Sequence, residues 1–198
     1  MIKVLNCNSK NYINKLIKFL NVRRVDKNVD TKIVSKIIKD IKKNKFKALL
    51  KYEKRFSKNL EIRLSKNKIN KSIKKLNPNV KKAIDYAYLR IFKFHSKQVK
   101  ELKNISFRDN LNNKLEYRYV PISSVGIYVP GNLPSTLLMN AIPAKLARVK
   151  NLILATPKID GNLNSAVLYA ARKVGIKEIY SMGGAQAIAS LAYIQKVN

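Results

Sequence analysis

Three short segments contain the polar side chains that could bind a ligand. They are Tyr128-Val-Pro-Gly131, Thr156-Pro157 and Gly183-Gly-Ala-Gln186, and each follows an apolar run. Glycine lets a ligand approach the backbone, and a helix that begins after it offers free N–H groups to an anion. Gln186 has an amide that donates and accepts hydrogen bonds, and Tyr128 has a flat ring and a hydroxyl group. These residue types favour ligand binding.

The same residues also fit a purely structural interpretation. The glycines would then form ordinary turns, Gln186 would be a solvated helix cap and Tyr128 a strand residue. A glycine pair is weaker evidence than a complete GxGxxG motif, so the spacing alone favours the structural interpretation.

Side chains that could carry out acid–base or metal chemistry are scarce. His95 is the only histidine, and we expect it to be packed on an apolar helix face with Gln98 as its neighbour. Cys7 is the only cysteine, which excludes an internal disulfide and a cysteine-based zinc site. The sequence has no serine nucleophile elbow, P-loop or HExxH motif. The residues alone therefore predict no catalytic machinery.

A parallel sheet would bring the three segments together. Residues 121–198 alternate between apolar runs and helical stretches, which is typical of parallel strands wrapped by helices. The predicted strands cover 125–129, 152–155 and 177–182, and the helices cover 135–149, 164–175 and 185–193. We expect Ser135 and Asn164 to cap the first two helices and Gly175 to end the second. Ligands of such sheets bind outside the carboxyl ends of the strands.

Residues 1–120 are predicted to be mainly helical. Helical spacing over 33–41 and again over 49–56 indicates two amphipathic stretches, and a long helix follows Pro78. Alternation over 60–64 indicates a short strand, and alternation over 105–120 indicates a β-hairpin. The sequence therefore predicts two domains, a helical part over residues 1–120 and an α/β part over residues 121–198.

Composition limits the class of protein. The 198 residues are 46% hydrophobic and 27% charged, as in ordinary globular proteins. No stretch approaches the roughly 18 apolar residues of a membrane span. The N-terminus does not have the pattern of a secretory signal, so we expect a cytoplasmic protein without membrane contact.

The net charge of +31 raises the hypothesis of nucleic-acid binding. Of the 42 basic residues, 33 are lysine, whereas arginine is the residue that contacts bases and phosphates through paired hydrogen bonds. Lysine, asparagine and isoleucine, which all have A/T-rich codons, make up 77 of the 198 residues. Coding bias is therefore the preferred explanation, and we expect no specific nucleic-acid partner.

Longer segments of the chain resemble the histidinol dehydrogenase family. The similar segments are 125–131, 138–145 and 183–193, with Thr156-Pro157 between them, and 48–56 and Phe94-His95 with Gln98 before them. This resemblance implies incomplete Rossmann-like domains in a cytoplasmic homodimer. It also implies the last two oxidations of histidine biosynthesis, from L-histidinol through L-histidinal to L-histidine, with NAD reduced and zinc bound at the substrate.

The resemblance also implies which residues bind the cofactor. Tyr128 and Gln186 match family positions that contact NAD, which favours cofactor binding over the structural interpretation. The chain ends at Asn198, before the family's Glu–His acid/base pair, its zinc ligands and its third NAD-contacting residue. No catalytic or metal-binding residue is therefore carried over, and we expect no turnover by these 198 residues alone. The loop at 132–134 is also shorter than the family's usual glycine-rich form.

Three functional hypotheses remain at this point. The first is histidinol dehydrogenase, present here as its N-terminal part, either because the sequence is a fragment, because the gene is broken, or because a second polypeptide completes the enzyme. As a partner we expect a second copy in a homodimer or that complementing polypeptide. The second is a non-catalytic NAD-binding or dimerisation remnant of that enzyme. The third is a basic nucleic-acid-binding protein, which would lose affinity steeply with salt.

Overall fold

The computed structural model describes residues 8, 10–24 and 31–194, so Cys7 and the last four residues lie outside the described chain. The helices are α1 (Tyr12–Arg24), α2 (Thr31–Ser57), α3 (Lys66–Lys74), α4 (Pro78–Glu101), α5 (Pro134–Leu146), α6 (Ser165–Val174) and α7 (Gly184–Tyr193). The strands are β1 (Ile105–Arg108), β2 (Lys114–Tyr117), β3 (Ser124–Tyr128), β4 (Asn151–Ala155) and β5 (Glu178–Tyr180). Over the described residues, no helix is both long and apolar enough to cross a membrane.

The strands β3, β4 and β5 form a parallel sheet with β4 at its centre. Parallel neighbours need crossover connections, which α5 and α6 supply between successive strands. Side chains alternate across the sheet because successive residues of a strand point to opposite faces. In β4, Leu152 and Leu154 belong to one core and Ile153 and Ala155 to the other. The predicted α/β fold is confirmed.

Two hydrophobic cores cover the two faces of this sheet. The first core lies between the sheet and α3 to α6, and its buried residues include Leu137, Ile142 and Leu168. The second core lies between the sheet and helices α2 and α7, around Leu49 and Met182. Each fully buried aliphatic side chain contributes about 1.5–3 kcal/mol to folding. The sheet is therefore held between two layers of helices.

The chain divides after residue 35 into two compact units, the first with α1 and the start of α2. Within the second unit, α4 packs on both α5 and α6. Residues before 120 thus contribute to the core of the α/β part, and the domain boundary at residue 120 stays a prediction.

Helix α6 has the caps that the sequence predicts. The Asn164 side chain accepts hydrogen bonds from the backbone N–H groups of Ala166 and Val167, at 2.8 and 3.3 Å. Gly175 ends the helix in the left-handed conformation, with φ of 95°. Both ends of α6 therefore satisfy backbone groups that a helix otherwise leaves unpaired.

Helix α5 begins differently from the prediction. It starts at Pro134, and the N-cap residue Leu133 makes no side-chain capping bond. Proline suits the first turn because it has no N–H group there to satisfy and its φ is already helical. The prediction that Ser135 caps this helix is therefore wrong, and the helix continues through Pro143 to Leu146.

The two amphipathic stretches at 33–41 and 49–56 form one helix, α2, with a break at Lys45, whose φ is 49°. The strand predicted over 60–64 is wrong. Only Arg63 forms a bridge, antiparallel to Tyr180, because Ser65 already caps the next helix with its hydroxyl. This segment nevertheless borders β5, since the Ile62 carbonyl accepts a hydrogen bond from Ser181 N at 2.6 Å.

The predicted hairpin is confirmed as β1 and β2, which pair antiparallel. The Asp109 carboxylate holds its turn by accepting bonds from the N–H groups of Leu111 and Asn113, at 2.9 and 2.8 Å. Every residue of both strands is exposed, including the apolar Phe107 and Leu115. Two strands without a covering layer are marginally stable by themselves.

Candidate ligand-binding site

The carboxyl ends of the three parallel strands lie side by side. Val129 N donates to Ala155 O, and Thr156 N donates to Tyr180 O, both at 3.0 Å. These bonds extend the sheet by one residue and bring the three glycine- and proline-containing segments to one edge. We call this edge, which comprises residues 128–131, 156–158 and 181–186, the carboxyl edge. Its position is the one expected for the ligand site of such a sheet.

Pro157 separates two of the glycines at the carboxyl edge. A Cβ atom added to Gly131 would lie 2.8 Å from Pro157 O, and one added to Gly183 would lie 2.9 Å from Pro157 Cβ. Both distances are shorter than van der Waals contact, so a side chain at either position would displace the middle loop. The sequence suggested that these glycines leave room for a ligand, but in the structure atoms of Pro157 occupy that space. These two glycines therefore serve the packing of one loop on another.

Gln186 lies in the first turn of α7 and is only 3% exposed. Its Nε2 donates to Glu53 Oε1 at 2.9 Å, and the same oxygen accepts a bond from Gly183 N, also at 2.9 Å. The interpretation of Gln186 as a solvated cap is therefore wrong. The amide is held at the carboxyl edge by a buried carboxylate.

Glu53 is the residue of this site that sequence reasoning missed. It lies on α2 and is 1% exposed, next to Leu49 and Tyr52, which are buried in the second core. The spacing of these three residues places Glu53 on the apolar face of the helix. A charged residue within an apolar stripe is the pattern that could have identified it, because buried carboxylates need partners.

Tyr128 is the last residue of β3 and is half-buried. Its ring packs against the second core, as does Ala185 at the start of α7. No described residue forms a hydrogen bond with its hydroxyl group, which is therefore available to a ligand. The structure thus brings Tyr128 and Gln186 to the same edge and the same face of the sheet. Their contact with NAD stays a prediction.

Thr156 contributes a second hydroxyl group at the carboxyl edge. It is 1% exposed, and within the described chain its Oγ1 has no hydrogen-bond partner. A buried polar atom without a partner is uncommon in folded proteins and calls for an explanation such as a ligand or water. Ala155, one position earlier, faces the second core, so the Thr156 side chain lies on the opposite face of the sheet from Tyr128, and at 1% exposure it is not open to a ligand.

A buried asparagine ties the loops of the carboxyl edge to the segment after α2. Asn59 Nδ2 donates to Ser181 O at 2.6 Å, and Asn59 Oδ1 accepts a bond from Lys158 Nζ at 2.9 Å. Asn59 thus connects the loop after β4 with the loop after β5. The carboxyl edge is a fixed arrangement of three loops.

The described residues include no group of three or more His, Cys, Asp or Glu side chains that could hold a metal ion. His95 lies half-buried on α4, and its Nδ1 is 2.5 Å from Gln98 Oε1, which confirms the predicted neighbour. The residues that the structure describes therefore do not fit a zinc site.

Comparisons with known proteins all point to one family. Residues 21–198 match the sequence profile described as histidinol dehydrogenase. A histidinol dehydrogenase of Pelagibacter ubique is 55% identical over 196 residues, which are 98% of this chain and 45% of that protein. One from Rhodospirillum rubrum is 39% identical, over 81% of this chain and 38% of that protein. The crystal structure of histidinol dehydrogenase from Elizabethkingia anophelis superimposes with a TM-score of 0.74 at 38% identity, over 84% of this chain and 40% of the crystallised one.

Proposed function

Because the chain belongs to the histidinol dehydrogenase family, we propose that it supplies the NAD-binding part of an enzyme that oxidises L-histidinol to L-histidine through L-histidinal. The observation that supports this proposal is the placement of Tyr128 and Gln186 on one face of the carboxyl edge. The chain spans less than half of the length of the curated relatives it matches, so the complete activity is part of the proposal.

The groups at the carboxyl edge fit NAD. The Tyr128 hydroxyl and the Gln186 carbonyl oxygen have no hydrogen-bond partner among the described residues, and NAD carries hydroxyl and carboxamide groups that would pair with them. When bound, NAD accepts a hydride from the carbon that is oxidised. The Tyr128 ring would offer a flat surface to the cofactor, and Gln186 would orient it through one hydrogen bond.

Acid–base chemistry is the part of the reaction that these residues do not offer. Oxidation of an alcohol to a carboxylate releases protons and needs an activated water, so a base must be within reach. The one histidine lies half-buried on α4, and its ring is hydrogen-bonded to Gln98. We infer that residues outside these 198 supply the base and the zinc site, in a longer chain or in a complementing polypeptide, in the cytoplasm. These 198 residues alone are then expected to bind NAD without turnover.

The test is a calorimetric titration of the 198-residue chain with NAD, together with an assay for reduced cofactor after addition of histidinol and zinc. We expect saturable heat and no reduced cofactor. Tyr128→Ala should weaken binding about tenfold, whereas Tyr86→Ala, which changes an exposed tyrosine on α4, should leave binding unchanged. Absence of binding by the wild-type chain would contradict the proposed NAD site, and turnover would contradict the need for a second component.

The remnant hypothesis requires a separate test, because it also predicts NAD binding without chemistry. The segment of the Pelagibacter ubique relative that this chain does not match can be added to the purified chain. Recovery of histidinol-dependent NAD reduction would support the enzyme, and its absence with both parts folded would favour the remnant.

A further inference from the structure

One oxygen atom of Glu53 accepts two hydrogen bonds at the carboxyl edge. Glu53 Oε1 is 2.9 Å from Gly183 N and 2.9 Å from Gln186 Nε2. Glu53 and Gln186 are 1% and 3% exposed, so water does not compete for these bonds. The Glu53 carboxylate thus binds both the backbone N–H of Gly183, just before α7, and the side chain of Gln186 in the first turn of α7.

This contact decides which end of the Gln186 amide faces Glu53. A carboxylate only accepts hydrogen bonds, and an amide offers a donor at one end and an acceptor at the other. Rotation of the amide by 180° would place its carbonyl oxygen against the Glu53 oxygen and lose a buried bond. The NH2 group is therefore directed at Glu53 and the carbonyl oxygen away from it.

The Gln186 carbonyl oxygen lies over Gly184. It is 3.0 Å from the position that a Cβ atom on Gly184 would take, and Gly184 has a φ of 62°, which favours glycine. Within the described chain, no residue donates a hydrogen bond to this oxygen. A ligand group that pairs with it must be a donor, such as an amide NH2 or a hydroxyl group.

We propose that Glu53 is a positioning residue that fixes the Gln186 amide so that Gln186 accepts, and does not donate, the hydrogen bond to the bound dinucleotide. The inference rests on the proposed NAD-binding role of Gln186 and adds to it the residue that sets its direction. Glu53 is 1% exposed and its Oε1 is occupied by Gly183 and Gln186, so we place it behind Gln186 and not against the ligand.

A thermodynamic cycle on NAD affinity tests this role in the 198-residue chain. The variants are Glu53→Leu, Gln186→Ala and the double variant, each titrated with NAD by calorimetry. Each single change should weaken binding about tenfold, because each removes the directed hydrogen bond to the ligand. If Glu53 acts through Gln186, the double variant should bind within about twofold of Gln186→Ala.

Two outcomes would overturn the proposal. Glu53→Leu could leave NAD affinity unchanged, or it could weaken affinity equally with and without Gln186. The second result would mean that Glu53 acts through the Gly183 backbone instead. Glu53→Gln keeps one carbonyl oxygen, which suffices for both bonds, so its NAD affinity should stay within about threefold of wild type. This conservative variant also decides the question if Glu53→Leu does not fold, because a tenfold loss would contradict the proposal.

Hydrogen exchange of the wild-type side-chain amide gives a result independent of NAD. The Gln186 NH2 group should exchange at least about tenfold more slowly than that of Gln98, which lies exposed on α4. Equal exchange rates would show that Glu53 does not hold the amide. If wild type fails to bind NAD but Gln186 is protected, the proposed function is wrong and the positioning contact stands.

Discussion

At the scale of single residues, Asp40 shows how local partners set an acid's titration. Its carboxylate accepts bonds from Asn44 Nδ2 at 2.7 Å, Lys51 Nζ at 3.1 Å and Tyr52 Oη at 2.9 Å. The hydrogen bonds from Asn44, Lys51 and Tyr52 lower the pKa of Asp40 from 3.8 to about 2. These contacts join two turns of α2 on either side of its break at Lys45.

The depressed pKa of Asp40 predicts a pH dependence with a definite sign. The stabilisation is fully present above the ordinary pKa of 3.8 and is lost as the pH falls toward about 2. The reason is that, between these two pH values, Asp40 is already protonated in the unfolded chain and still ionised in the folded one. An NMR titration of the carboxyl carbon should find its midpoint near pH 2. Asp40→Asn should flatten the acid dependence of stability in this window, and a midpoint near 3.8 in wild type would contradict the prediction.

Some residues of the candidate site could be predicted from the sequence and others could not. Tyr128 and Gln186 were predicted as cofactor residues only through resemblance, because such a role would depend on neighbours that only the fold brings together. Glu53 lies far from Gln186 in the chain, and one of two acids in a lysine-rich helix is ordinarily solvated. Its hydrogen bond to Gln186 on α7 is what places it, buried, at the candidate site, and local spacing does not specify that partner.

At the scale of elements, the caps of α5 and α6 form a matched pair. Asn164→Ala removes two capping bonds to backbone N–H groups and should lower the free energy of unfolding by about 1 kcal/mol. Ser135→Ala removes no cap, because α5 begins at Pro134, and should change the free energy of unfolding by less than about 0.5 kcal/mol. Urea denaturation measures both, and equal losses would contradict the assignment of the caps.

The same elements show what sequence patterns predict and where they fail. The three parallel strands and the hairpin were predictable because alternation and glycine-bounded apolar runs reflect the geometry of a strand directly. The alternation over 60–64 has the same appearance, yet only one bridge forms there, because α3 begins at once after Ser65. Ser135 failed as a cap for a similar reason, since Pro134 determines the start of α5.

At the scale of the whole molecule, the net charge of +31 opposes folding by self-repulsion. Salt screens this repulsion, with a Debye length of about 30 Å at 0.01 M and about 10 Å at 0.1 M. We therefore expect the melting temperature to rise between these sodium chloride concentrations, by about 2–4 °C for each kcal/mol of repulsion relieved.

Calorimetry in sodium chloride and in sodium sulfate of equal ionic strength would measure this effect and separate it from anion binding. Equal increases in the two salts would indicate screening alone. A melting temperature independent of sodium chloride would contradict the prediction.

Nucleic-acid binding measured at the same sodium chloride concentrations should show no sequence preference, because the charge is carried mainly by lysine.

The contact of Pro157 with both glycine loops limits which substitutions this chain can accept during evolution. Gly131 faces the carbonyl oxygen of Pro157, and Gly183 faces its ring, so displacement of residue 157 by a side chain at one position alters the space at the other. The effects of substitutions at 131 and 183 should then depend on each other, although the two residues are distant in sequence and neither has a side chain that could react or bind a ligand. An accepted change at one of them would alter which residues are tolerated at the other, and the three loops would evolve as a single unit.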